Sequence, residues 1–351
     1  MSDPFACFGY SSSSSGSEAE GGCSDDDTRL RRASDLTEAC RLKDKSNADP
    51  VALTPINNDA SFEMFDAGPS GMGLRATAPY KRGDEVLREC AAMRVPNKQA
   101  ATSREEAERK HLACVDRMFD RMHPSTQSSF MELSSCQGGV KTKAGVYDTN
   151  SYQLGGDESH GGLFLTLARI NHSCRPNVVH CWRPGLQQTL VFALRDIEIG
   201  EELFTIYGPS ECMDTKGRRE YLHDRFAFNC TCEMCTEGNN NGGDERMLEI
   251  QSIQNEISSL VSIANMSTTK AAAALSSVKR CLDLMDEQGI GGGAFSKSLL
   301  HSAYELCLAL DNNHAAREYL SKELAAVRDS EGIECPKACA IERVLDSITV
   351  A

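Results

Sequence analysis

Cys230, Cys232 and Cys235 place three thiols within six residues, in the run Cys-Thr-Cys-Glu-Met-Cys. Structural zinc takes four ligands in a tetrahedron, so a fourth must come from elsewhere. Cys174 is the preferred fourth, with Cys181 and Cys212 as rivals; the alternative is three buried or redox-active thiols. An all-thiolate site is closed to water, which makes the metal structural rather than catalytic. Other segments carry different chemistry. The Asn171 amide in Asn171-His172-Ser173-Cys174 offers both a donor and an acceptor. Gly71-Met72-Gly73 lets backbone approach a ligand closely, because glycine has no Cβ. Tyr207 closes Gly200-Glu201-Glu202-Leu203-Phe204-Thr205-Ile206-Tyr207 and presents a phenol. Taken singly these are ordinary: a Gly-X-Gly turn serves many hairpins, a lone buried histidine is a satisfied core residue, and a strand-end tyrosine packs.

Their order along one chain is not ordinary. Gly71-Met72-Gly73, then Asn171-His172-Ser173-Cys174-Arg175-Pro176-Asn177, then the run ending at Tyr207, then the three cysteines, resembles the SET-domain protein lysine methyltransferases, and within them the SET-and-MYND (SMYD) branch. Gly217-Arg218-Arg219-Glu220-Tyr221-Leu222 and Leu163-Phe164 add to the likeness, which covers about residues 60–237. It implies an α+β fold: a SET β-clip or pseudoknot of small β-sheets with a helical insertion, a post-SET zinc site and a C-terminal helical domain of tetratricopeptide-like hairpins. It implies S-adenosylmethionine held by Gly71, Met72, Gly73, Asn150, Asn171, His172, Tyr207 and Phe228, with His172 acting largely through its backbone. It makes Tyr207 the catalytic residue and lines the lysine channel with Tyr152, Tyr207 and Phe226. It gives one structural zinc to Cys174, Cys230, Cys232 and Cys235, and a protein, histone or non-histone, as substrate. Phe226 and Phe228 have a plainer reading as packing against the metal site. The MYND module is not expected: Cys90, His111, Cys114, His123 and Cys136 are the only ligand types before Asn150 in that stretch, and none forms a Cys-X2-Cys pair.

Those residues need elements to hold them. Short strands are expected at 62–65, 85–88, 189–194 and 203–207, and residues 71–76 read as a turn into a further strand. Residues 103–134 read as helix, with Leu112, Val115, Met118, Phe119 and Met122 at helical spacing and a break at His123-Pro124. Residues 137–161 are glycine-rich and polar. Beyond the Gly/Asn linker, five helices are expected at 244–264, 269–288, 296–311, 313–329 and 336–348. The expected organisation is an acidic, serine-rich disordered tail (1–58), a SET domain (59–209, with its insertion at about 95–145), a post-SET segment (210–237) and a helical domain (244–351).

A net charge of −14 over 351 residues argues against sequence-blind binding to nucleic acid and suits basic protein tails. No apolar run reaches the ~20 residues that span a bilayer, and no secretory signal is expected. Sixteen cysteines then point to reduced thiols and a nuclear or cytoplasmic location. Two other functions remain: an idle SET scaffold that binds partners through its helices, and a redox or zinc-storage protein, whose cysteines should cluster throughout.

Overall fold

The computed structural model describes residues 61–97, 103–155, 160–208, 213–237, 242–260, 263–290 and 292–348. The expected tail and Cys212 lie outside them. The chain opens with an antiparallel pair, β1 (Phe62–Asp66) and β2 (Met72–Ala76), then continues through β3 (Glu85–Cys90) and β4 (Met93–Pro96). A helical insertion follows, α1 (Arg104–Asp120), α2 (Pro124–Glu132) and α3 (Lys143–Asn150). Ser103 caps α1 by accepting from Glu106 N, Pro124 opens α2, and Thr142 caps α3 by accepting from Gly145 N.

Next come β5 (Ser151–Gln153), β6 (His160–Leu163), β7 (Asn171–His172), β8 (Val178–Arg183), β9 (Gln188–Ala193) and β10 (Phe204–Thr205). They build two three-stranded antiparallel sheets, β3-β9-β8 and β4-β6-β5, and a short parallel pair, β10-β7. The glycine-rich, polar stretch 137–161 thus contains α3, β5 and the start of β6. Two glycines of β6 are packing residues: a Cβ on Gly161 would lie 2.7 Å from the Tyr147 hydroxyl, and one on Gly162 2.8 Å from Leu154. Glycine here marks close approach rather than a loop.

The remaining elements are helical: α4 (Thr215–Phe226), α5 (Glu233–Glu237), α6 (Gly243–Ser258), α7 (Thr268–Glu287), α8 (Lys297–Ala309), α9 (Asn313–Glu331) and α10 (Pro336–Ser347). The last five match the helices expected from periodicity, with α6 ending earlier than its pattern. Buried Glu323 on α9 ties three of them together, accepting from His301 Nδ1 on α8 and Lys337 Nζ on α10, both at 2.9 Å. Helix α9 packs across β8 and β9, and Arg82 pairs with Asp329 at 2.6 Å. One apolar core runs from Cys174, Leu222 and the flap cysteines into α6–α10, with Tyr207, Phe226 and Phe228 packed on its margin. A second core lies among β2, β3, β8 and β9, and a third under the helical insertion.

Candidate active site and metal centre

Asn177 joins the two stretches that carry the motifs. It is fully buried; its Nδ2 donates to the Glu202 carbonyl at 2.8 Å and its Oδ1 accepts from Phe204 N at 2.7 Å. Its backbone donates to Phe204 O and accepts from Leu194 N. These bonds seat β7 beside β10 in parallel register, Asn171 against Phe204 and His172 against Thr205. Strand β2 closes the other side, with Leu203 N donating to Leu74 O.

Gly73 faces this junction. A Cβ there would lie 2.7 Å from Glu202 Oε1 and 3.0 Å from Asn171 Nδ2. Gly71 adopts a positive φ of 78° and Met72 is exposed. Asn171 Nδ2 donates to Glu202 Oε1 at 2.9 Å, and its Oδ1 has no partner among the described residues. An acceptor oxygen beside a carboxylate suits the cationic amino group of an amino-acid-like cofactor such as S-adenosylmethionine.

His172 uses its side chain as a bridge. Nδ1 accepts from the Tyr207 backbone N–H at 3.0 Å, and Nε2 lies 3.4 Å from Cys174 Sγ. Nδ1 is therefore the acceptor and Nε2 carries the proton, and burial pushes the ring down to about 4, so it stays neutral. The Tyr207 hydroxyl donates to Ile170 O at 2.8 Å. Burial first, and then the nearby Glu202 charge, raise the Tyr207 phenol well above its ordinary range. It remains a phenol.

Aromatic rings surround it. Phe226 lies 5.0 Å from the Tyr207 ring, His172 5.3 Å and Phe228 6.4 Å. Both phenylalanines reach inward because α4 stops at Ala227, which adopts a left-handed φ of 58°. On the sheet side, Tyr152 stacks edge-on to His180 at 4.6 Å and packs near Phe164 at 6.4 Å. Burial drives the Tyr152 phenol up, and its neighbour Tyr207 adds to the rise.

The four thiols of Cys174, Cys230, Cys232 and Cys235 all lie within 4.8 Å of one another. Cys174 Sγ is 3.5 Å from Cys235 Sγ and 4.0 Å from Cys230 Sγ. Tetrahedral zinc with bonds of about 2.3 Å sets its sulfurs about 3.8 Å apart, so the spacing fits. The rival Cys181 lies elsewhere, on β8, where burial pushes its thiol up to about 11. Among the described residues this is the one such group, and none of the twelve cysteines there is in a disulfide. His111, one of the scattered ligand types in the insertion, is instead taken up by Asp148 at 2.7 Å.

Asn150 sits apart from this junction's hydrogen bonds. Its Nδ2 donates to Ser134 O and Val146 O, both at 2.7 Å, which leaves Oδ1 for any ligand. Two contributors escaped the motif reading. Glu89 on β3 accepts from Thr166 N at 2.9 Å and Leu167 N at 3.0 Å, and burial raises its pKa. It thereby fixes the turn whose Ile170 carbonyl holds Tyr207. His180 on β8 turns its ring to Tyr152; burial lowers it to about 4, and its Nδ1 finds no partner. The alternation Val178-His180-Trp182 is the signal that marks it, once β8 is known to be a strand.

Residues 71–208 match the SET domain family. Histone-lysine N-methyltransferase set5 of Schizosaccharomyces pombe is 26% identical over 299 residues, 83% of this chain and 86% of that protein. Histone-lysine N-methyltransferase SET5 of Yarrowia lipolytica is 43% identical over 76 residues, and human histone-lysine N-methyltransferase SMYD3 is 41% identical over 75. Each of these two shorter matches covers 21% of this chain and 17% of the relative. With small sheets, a four-cysteine cluster and a helical C-terminus already in place, residues 71–208 carry a SET domain, and the chain is related to the SET5 and SMYD lysine methyltransferases.

Proposed function

We propose that this protein transfers a methyl group from S-adenosylmethionine to lysine side chains of protein substrates, with Tyr207 at the reacting centre. One observation carries the reading. Three stretches far apart in sequence meet so that the Tyr207 hydroxyl, fixed on Ile170 O, sits among Phe226, Phe228 and His172 and beside the strand carrying Asn171. The cofactor, when bound, supplies an electrophilic methyl carbon on sulfur.

The chain's own residues address the amine. Free lysine has a pKa of ~10.4, so holding it neutral at pH 7 costs about 4–5 kcal/mol. The walls formed by Tyr152, Tyr207 and Phe226 exclude water and disfavour the ammonium, which reduces that cost. The Tyr207 oxygen orients the amine, and alignment supplies most of the acceleration. No strong base is required, and none of the histidines found here fits the role. His172 Nδ1 is already taken, and both His172 and His180 are poor bases at about 4.

The names of two relatives specify histone lysine, and the acidic chain suits basic tails. The sixteen cysteines of the chain, four of them grouped as metal ligands, suit a reducing compartment, nucleus or cytoplasm. The direct test is incubation of the full chain with methyl-labelled cofactor and a mixture of histones and other cellular proteins. Label should appear on lysine side chains of protein; absence of label from every protein offered would overturn the assignment.

Gly73→Ala checks the cofactor side. Its Cβ would displace the Asn171–Glu202 pair, and overpacking of this kind costs about 1–3 kcal/mol. Cofactor affinity measured by calorimetry should fall roughly 10-fold or more, while the far-ultraviolet circular dichroism spectrum stays the same. Undiminished affinity would remove Gly73 from the cofactor site.

A further inference from the structure

The largest fully buried side chain among the described residues is a cation. Arg218, in the first half of α4, is 0% exposed. Its guanidinium donates to the Met213 and Thr215 side of the helix start, with Nη2 at 2.9 Å from Thr215 Oγ1, and reaches Met234 O in the flap at 3.5 Å. It also faces the Cys235 thiol, and its Nε finds no acceptor. No carboxylate among the described residues bonds to it. Asp244, the nearest acid it senses, is held by Thr215 N and Oγ1 at 2.8 Å each. A buried charge without an opposite partner is heavily penalised.

The missing counter-charge lies next door. Four thiolates around a divalent zinc carry a net charge of two minus, and they would sit directly against the guanidinium. Arg219 braces the same cluster through backbone, donating to Cys230 O at 3.2 Å and Cys235 O at 3.0 Å. The two arginines therefore do different work: one supplies charge within the core and the other ties the carbonyls of the flap.

We propose that Arg218 is a positioning residue of the metal centre, the internal counter-cation of a zinc–tetrathiolate, so that loading the metal and docking α4 are a single event. The proposal rests on the zinc reading of the four cysteines. It has a consequence for the site, because α4 ends at Phe226 and leads into Phe228. With the metal gone, Arg218 is left as an unpaired buried charge, α4 lifts, and the aromatic wall leaves Tyr207.

The test uses the full chain as wild type, Arg218→Met, Arg218→Lys and Arg219→Met, each purified with zinc. Zinc release to an excess chromogenic chelator is followed at a temperature well below unfolding. Arg218→Met should release zinc at least 10-fold faster than wild type, and Arg218→Lys should recover much of the difference because it restores the charge. Arg219→Met should fall closer to wild type. Equal release by wild type and Arg218→Met would overturn the proposal while leaving the zinc site standing; wild type without zinc would overturn both. Should Arg218→Met fail to fold, hydrogen exchange on the wild-type chain decides. Stripping the metal should deprotect residues 213–226 while α8–α10 stay protected, and unchanged protection of 213–226 would overturn it.

Discussion

Tyr207→Phe is expected to lower methyl transfer by about 100-fold or more while cofactor affinity stays within a few-fold of wild type, because removal of one preorganised polar group at a reacting centre typically costs 10²–10³ in rate. The substitution is conservative everywhere except at the oxygen. The ring keeps its contacts with Phe226, Phe228 and His172, and the backbone N–H still donates to His172 Nδ1. What disappears is the hydroxyl held by Ile170 O. Burial keeps that hydroxyl protonated, so the lost element is an orienting dipole rather than a base. Single-turnover transfer of labelled methyl, beside cofactor titration by calorimetry, separates the two effects. Turnover equal to wild type would take Tyr207 out of the reaction.

Cys232→Ser should leave the chain with much less than one zinc and should reach the active site as well. Structural zinc in small thiolate sites contributes about 10–16 kcal/mol of apparent binding energy in peptide systems, and three thiols with a hydroxyl hold it far less tightly. The cluster also supports chemistry at a distance: Cys174 touches His172, which carries the Tyr207 backbone, and the flap brings in Phe228. Metal analysis by mass spectrometry, limited proteolysis near residue 230 and methyl transfer should therefore change together. Retention of a full zinc equivalent would show that the metal sits elsewhere.

Much of this was readable from the sequence because its signals are local. The C-terminal helices repeat apolar residues at helical spacing and carry their own caps, as with Asn312 before α9 and Cys335–Pro336 before α10. The motif residues announce themselves because Asn171 to Asn177 and Cys230 to Cys235 are short contiguous runs. Strands β7 and β10 were less legible: two residues each are too few for any periodicity, and they exist only because Asn177 pins them. Strand β8 reads Val-Val-His-Cys-Trp-Arg, covered on both faces, so no alternation marks it. Glu89 acts through a partner distant in sequence, Thr166, 77 residues away, and no local pattern reports such a meeting.

The spacing of the metal ligands along the chain has a bearing on biogenesis. Cys174 precedes its partner Cys235 by 61 residues. At about 5–20 residues per second, a ribosome takes roughly 3–12 s to cover that interval. Until Cys230 is made, the nascent polypeptide holds Cys174 alone of the four ligands, and until Phe204 and Thr205 are made β7 has no β10 to lie against. Closure of the four-cysteine centre is thus a late event in synthesis, completed only after the strands it fastens have been made.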